Sequence, residues 1–295
     1  MTAEPVGVVG LGVMGGAMSG HLLAAGHPVL GFDPDPGRQT EHRGRGGVVC
    51  ASPAEVARGA AVVVTSLPSA PALMAVLDGP DGLSAGAGGG QLVVLETSTL
   101  SPETKQQAAD LAGGWGATLL DCPMSGTGQQ ARDGDLVAYL SGPAAGKERA
   151  LPVLRVFTRA QHDLGEFGQG TRMKLVANLL VAVHNAAAAE ALLLAQRAGL
   201  DLDQVLAAVG DGAGGSRMLQ VRGPLMVTGS YADATATVAT MRKDNELIAA
   251  FAAAVASPTP LFAATSVLYQ AAVAQDRLTE DTACVFGVLQ GLAGG

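Results

Sequence analysis

The sequence predicts an α/β protein in two parts: a doubly wound parallel sheet over residues 1–165, then an all-α part over residues 166–295, joined by a long helix. Three observations carry that expectation. Short apolar, β-branched runs alternate with helical patterns through the first half. A glycine-rich turn joins the first of these runs to the first helical pattern. Near residue 165 the strand-like runs stop and the composition turns to Ala and Leu.

Val6, Val8 and Val9 form the first run, a buried strand by length and apolarity. Gly10, Gly12 and Gly15 follow at G-x-G-x-x-G spacing, and Met14, Met18, Leu22 and Leu23 recur at helical spacing before Gly26. In a dinucleotide-binding Rossmann unit, the first glycine permits the tight turn and the second lets the backbone approach a pyrophosphate. The third lets helix and strand pack closely. The helix N-terminus then offers free N–H groups and the positive end of its dipole. A purely structural glycine turn is the alternative. Pro28 to Phe32 reads as the second strand and ends at Asp33, 23 residues after Gly10. A carboxylate at this distance accepts hydrogen bonds from the adenosine ribose and repels a 2′-phosphate, which favours NAD. The competing reading makes Asp33 the start of the Asp-Pro-Asp-Pro turn. Arg38, Arg43 and Arg45 keep NADP open.

Ala61 to Leu67, Gln91 to Leu95, Ala117 to Leu120 and Leu136 to Leu140 read as further strands, with Gly86 to Gly90 a surface turn. Ligands of open parallel sheets sit at strand ends, so Leu67, Pro68 and Thr99 are candidate cofactor contacts. As an alternative, Pro68 and Pro102 only stop strands and start helices. Thr171 to Ala198 reads as one helix of ~28 residues, about 40 Å long, with Gly199 as its C-cap. Helices are also expected at Leu202 to Val209, Ser216 to Gly223, Ala234 to Val255, Pro260 to Gln275 and Glu280 to Leu292.

The long helix carries the sharpest chemistry. Lys174 and Asn178 stand at i, i+4 and share a face, with Asn185 close to the same line. Apolar neighbours would partly desolvate Lys174, disfavour its charged form and suit it to acid–base work. A surface lysine with an Asn partner is the plain alternative. Arg242-Lys243 followed by Asp244 would alone be read as a solvated face.

Composition sets the outer limits. A net charge of −8 argues against a nucleic-acid partner, and apolar content of 48% against disorder. Cys50, Cys122 and Cys284 are scattered and odd in number, giving neither a metal-type spacing nor a disulfide framework. That cysteine spacing leads to no metal being expected; the start has no basic segment ahead of an apolar stretch, and the Ala-rich run from Leu179 to Leu194 is broken by His184, Asn185 and Glu190, so the expectation is a cytoplasmic protein away from the membrane.

Four segments in order carry a resemblance: Gly10-Leu11-Gly12-Val13-Met14-Gly15, Asp121-Cys122-Pro123-Met124-Ser125-Gly126, the run from Gly168 through Lys174 to Asn178, and Lys243-Asp244. Together they resemble the β-hydroxyacid dehydrogenase family, which includes 3-hydroxyisobutyrate dehydrogenase and tartronate semialdehyde reductase. The resemblance covers essentially the whole chain. It implies an NAD(P)-dependent oxidoreductase acting on a small anionic 3-hydroxyacid or semialdehyde, with Lys174 as catalytic acid–base. Ser125 and Gly126 would hold the substrate carboxylate or hydroxyl, and Asn178 the substrate oxygens. Gly10, Leu11, Gly12, Met14, Gly15, Asp33, Leu67, Pro68, Thr99 and Lys243 would contact the cofactor. The site would lie in a cleft between the two parts, and the Ala/Leu surface of the helical part would be covered in a homodimer or higher homo-oligomer. Thr127 stands where the family usually has a second glycine, and Ser216-Arg217 where many members have a bulky apolar residue. An imine reductase and a non-catalytic dinucleotide-binding module are the alternatives; retention of Lys174 argues against both.

Overall fold

The computed structural model describes residues 4–88 and 92–294. Its first unit opens with β1 (Val6–Val9), α1 (Val13–Ala24), β2 (Val29–Phe32), α2 (Pro36–Gly44), β3 (Val48–Val49), α3 (Pro53–Gly59) and β4 (Val62–Thr65). It continues through α4 (Ala70–Asp78), α5 (Leu83–Gly86), β5 (Val93–Glu96), α6 (Pro102–Gly114) and β6 (Thr118–Asp121). The six strands form one sheet in the order β3-β2-β1-β4-β5-β6, and every pairing is parallel. The order reverses between β1 and β4, the topological switch point where such sheets bind ligands.

The sheet is buried on both faces, which is why its strands read as continuous apolar runs. Val62, Val64, Val93 and Leu95 pack with Met18 and Leu22 of α1 on one side. Val63 and Val94 pack with Val56, Leu73 and Ala108 on the other. Four helices start on a capping side chain with proline at the first or second position: Asp35, Ser52, Ser69 and Ser101 each accept a backbone N–H from the turn they begin. Pro102 therefore starts a helix, as one of the two readings held.

A small second sheet follows: β7 (Met124–Ser125), α7 (Gly128–Arg132), β8 (Leu136–Leu140), α8 (Ala144–Phe157) and β9 (Thr158–Asp163). β7 pairs antiparallel and β9 parallel with β8. The sequence reading did not find β3, β7 or β9. Two correspond to single pairs of residues, and β9, TRAQHD, is polar and continues from α8 with no intervening turn. At Gly86 the expected surface turn is instead the buried end of α5, where a Cβ would lie 1.9 Å from the Ala54 carbonyl oxygen. Gly89 to Gln91 lie outside the described residues.

The second unit is helical: α9 (Gln169–Arg197), α10 (Leu202–Asp211), α11 (Arg217–Thr228), α12 (Val238–Ala254), α13 (Pro260–Ala274), a 3₁₀ turn (Thr282–Cys284) and α14 (Val285–Leu292). α11 runs past the expected Gly223, through Pro224, to an αL glycine cap at Gly229. α12 starts later than expected because the N–H groups of Thr235 and Ala236 go to the Asp281 carboxylate. Asp281 also caps the 3₁₀ turn and pairs with buried Arg222. α9 is long and apolar enough to span a bilayer by composition, and its buried stripe of Leu175, Ala182, Ala186, Ala189 and Leu192 forms the core of this unit with Met226, Ile248 and Phe286. Asn185 is fully buried there, donating to the Tyr269 hydroxyl at 3.0 Å and the Thr282 carbonyl at 2.9 Å. These bonds tie α9 to α13 and to the 3₁₀ turn. The compact units divide between Lys174 and Leu175, inside α9, whose first turn is hydrogen-bonded into the first unit.

Candidate active site

The glycine turn is built as a cradle. Gly10 sits at φ +90°, and a Cβ there would fall 2.2 Å from the Ser66 carbonyl oxygen. A Cβ on Gly15 would fall 1.8 Å from the Gly10 carbonyl oxygen, so this glycine lets α1 press onto the turn. Gly12 differs. Its φ of −62° suits any residue, and a Cβ there meets only the Arg38 guanidinium, at 3.5 Å. The fold does not need a glycine at 12, but a ligand approaching the backbone does. α1 begins after Gly12 with no side-chain cap, so its first N–H groups have no capping side chain to satisfy them. These features fit a dinucleotide pyrophosphate.

Asp33, at the end of β2, is buried and accepts from Leu11 N at 2.8 Å and Asp35 N at 2.9 Å. It braces the glycine turn and leaves lone pairs on both oxygens for a ribose. The Asp-Pro-Asp-Pro turn is capped by Asp35, which accepts from Gly37 N. Of the arginines considered for a 2′-phosphate, Arg38 faces the turn at Gly12, and Arg45 donates to the Gly16 carbonyl at 3.2 Å. Leu67 donates its N–H to Ser98 Oγ at 2.8 Å at the end of β4, while Pro68 is exposed and Thr99 half-buried. Met14 is half-buried on α1 and packs against the sheet core.

Ser125 ends β7, half-buried, and the exposed Gly126 follows at φ +145°, where a Cβ would strike Leu136. Thr127 needs no glycine. It forms a capping box with Gln130 at the start of α7, its Oγ1 accepting Gln130 N and its own N–H donating to Gln130 Oε1.

On α9, Lys174 is 8% and Asn178 6% exposed, one turn apart. Asn178 Nδ2 donates to Asp244 Oδ2 at 2.8 Å, and Lys243 Nζ lies 2.8 Å from Asp244 Oδ1. Asp244 thus orients the Asn178 amide and holds Lys243, a role the sequence reading did not assign. The signal was there: Val238, Met241, Ile248 and Ala252 mark the buried stripe of α12, and Asp244 falls on it.

Comparison with known proteins identifies the family. Residues 5–165 match the family model described as the NAD binding domain of 6-phosphogluconate dehydrogenase. Residues 168–289 match that described as NAD-binding of NADP-dependent 3-hydroxyisobutyrate dehydrogenase. An L-threonate dehydrogenase from Cupriavidus necator is 33% identical over 97% of this chain and 96% of its own length. The crystal structure of 3-hydroxyisobutyrate dehydrogenase from Salmonella typhimurium superimposes with a TM-score of 0.87 at 31% identity, covering 97% of this chain and 99% of that one. An imine reductase from Streptomyces aurantiacus, with a TM-score of 0.63 and 21% identity, shares the fold alone. The chain is a member of the β-hydroxyacid dehydrogenase family of NAD(P)-dependent oxidoreductases.

Proposed function

We propose that this chain interconverts a small anionic 3-hydroxyacid and its carbonyl form, with Lys174 as the general acid and base. The observation that carries the reading is the pair on α9: a lysine and an oriented amide, one turn apart and each more than nine-tenths buried. A nicotinamide held at the glycine turn supplies or accepts the hydride. In reduction, the Lys174 ammonium donates a proton to the developing alkoxide; in oxidation, the neutral amine takes the hydroxyl proton. Asn178 hydrogen-bonds the substrate oxygen or carboxylate, and Ser125 with Gly126 holds the carboxylate or hydroxyl. Gly10, Leu11, Gly12, Met14, Gly15, Leu67, Pro68 and Thr99 contact the cofactor, and Lys243 stands beside the nicotinamide and its ribose. The names of the relatives, L-threonate and 3-hydroxyisobutyrate dehydrogenase, support this substrate class.

Asp33 sets NAD ahead of NADP, since its carboxylate opposes a 2′-phosphate. Fluorescence titration with both reduced cofactors should give tighter binding of NADH. Equal or tighter binding of NADPH would transfer the cofactor choice to Arg38 and Arg45. An absorbance screen at the NADH band over L-threonate, 3-hydroxyisobutyrate, semialdehydes and cyclic imines tests the reaction class. Turnover confined to imines would overturn it. The exposed Val176, Leu180 and Leu194 of α9, with Leu261 and Val267 of α13, support a homodimer or higher homo-oligomer. Three buried free cysteines support a cytoplasmic location.

A further inference from the structure

A buried ion cluster lies in the first unit, and the chemistry above does not use it. Lys105 of α6 is fully buried and pairs with Glu96 at the end of β5 and, at 3.3 Å, with Asp121 Oδ1 at the end of β6. Both carboxylates are also fully buried. Burial pushes the Lys105 ammonium toward neutrality, but the attraction and hydrogen bonds of Glu96 and Asp121 outweigh this and hold its pKa above the ordinary lysine value. Two carboxylates against one ammonium leave an excess negative charge.

That charge is met by the first turn of α9. Thr171 N donates to Asp121 Oδ2 at 2.7 Å, and Thr171 Oγ1 donates to Asp121 Oδ1 at 2.7 Å. Gly170 N donates to Ser141 Oγ at 3.0 Å, and that hydroxyl turns to Asp121. Helix N-termini carry unpaired N–H groups and the positive end of the dipole, so a buried carboxylate is a strong anchor there. Gly170 lets the anchor close: a Cβ would fall 2.3 Å from the Tyr139 carbonyl oxygen and 2.8 Å from that of Asp121. On its other side the cluster reaches the cofactor edge. Glu96 Oε1 accepts from Ser98 N at 3.1 Å and from Ser98 Oγ, which accepts Leu67 N at 2.8 Å. One cluster therefore holds both the Leu67 strand end and the helix turn that ends, three residues after Thr171, at Lys174.

We propose that Asp121, steadied by Lys105, is a positioning residue of the reaction: gripping α9 through Thr171, it sets the register in which Lys174 presents its amine. The proposal rests on the reading of Lys174 as the acid–base. Thr171→Val removes one hydrogen bond from Asp121 at nearly constant volume, and Thr171→Ser restores it.

The test uses the full chain with four measurements: a thermal melt, NADH affinity, kcat on 3-hydroxyisobutyrate and L-threonate, and a lysine-detected NMR titration. The chain has only four lysines, Lys105, Lys147, Lys174 and Lys243, so each signal is assigned by one substitution. Thr171→Val should move the Lys174 titration midpoint and leave that of Lys147, which pairs with Asp163, in place. It should lower kcat by about 10- to 100-fold, the scale of a sub-ångström to 1 Å misplacement, with NADH affinity unchanged. Thr171→Ser should behave as wild type. In a Lys174→Met background, Thr171→Val should cost nothing further, because its effect passes through that amine. An unmoved Lys174 titration with unchanged kcat in a folded Thr171→Val protein overturns the proposal. So does a Thr171→Ser protein as impaired as Thr171→Val. Full turnover in Lys174→Met alone strikes the underlying reading instead, and the NMR titration still decides the positioning of that side chain.

Discussion

Gly12 shows how one residue separates a folding constraint from a binding one. Gly10 and Gly15 are required by the chain itself, since a Cβ at either would collide with a carbonyl oxygen. At Gly12 the backbone is ordinary and the space above it is open apart from Arg38. Gly12→Val should therefore leave the melting temperature within a few degrees while abolishing NADH-induced fluorescence change. Normal NADH binding by this variant would make the turn purely structural. Lys105 illustrates the opposite case, a residue whose removal should cost the fold heavily in stability. Lys105→Met strands two buried carboxylates, and breaking a buried pair from one side costs about 3–5 kcal/mol. A urea melt should record a loss of that size. A loss below about 1 kcal/mol, the range of an exposed pair, would contradict the cluster geometry.

At the scale of elements, what was legible followed from length and periodicity. β1, β2, β4, β5 and β6 were read as apolar runs because strands of a parallel sheet covered on both faces are mostly apolar, and β8 because its run LVAYL is apolar too. β3 and β7 are too short to carry a pattern, and β9 is polar and follows α8 without a break. The candidate site residues stood out where a motif holds them together in sequence, as at Gly10 to Gly15 and Lys174 to Asn178. Asp244, Ser98 and Thr171 escaped because their roles come from partners 66, 31 and 50 residues away. Lys105 was equally hidden, although it falls on the buried stripe of α6 with Ala108 and Ala112. The departure at Thr127 also resolves at this scale, as the cap of α7. Thr127→Ala should cost about 1 kcal/mol, the worth of an N-cap, measurable as a lower midpoint in urea. An unchanged midpoint would mean that the capping box contributes nothing.

Across the whole molecule, buried groups combine to make the protein sensitive to alkali. Burial raises Cys50 and Cys284 to about 11, and Cys122 well above its ordinary range, with smaller opposing pulls from nearby cations. Burial likewise holds Tyr269 at about 12. In the unfolded chain these groups lose protons at their ordinary values, about 8.5 for thiols and 10 for tyrosine. The unfolded state then binds fewer protons than the folded state, so stability falls as pH rises. Lys105 acts in the same direction: its raised pKa contributes stability that is complete below about 10.4 and lost as pH climbs through the folded value. Thermal melts should show a midpoint falling from about pH 8.5 upward. Alanine at all three cysteines should delay the onset to the tyrosine and lysine range. A flat profile to pH 11 would contradict the burial of these groups.

The proposed reaction turns on a single side chain. Lys174→Met keeps length and apolar packing on α9 but removes the proposed proton donor to the alkoxide. NADH should still bind, because the glycine turn is untouched. Stopped-flow or steady-state absorbance at the NADH band should show kcat lowered by roughly 10²–10⁴-fold, and Lys174→Arg should not restore it, since a guanidinium stays protonated. The pH–rate ionisation of the wild type should vanish in the Met variant. A Lys174→Met protein that binds NADH and keeps more than about a tenth of wild-type kcat, well outside that range, would contradict the assignment of Lys174 as the acid–base.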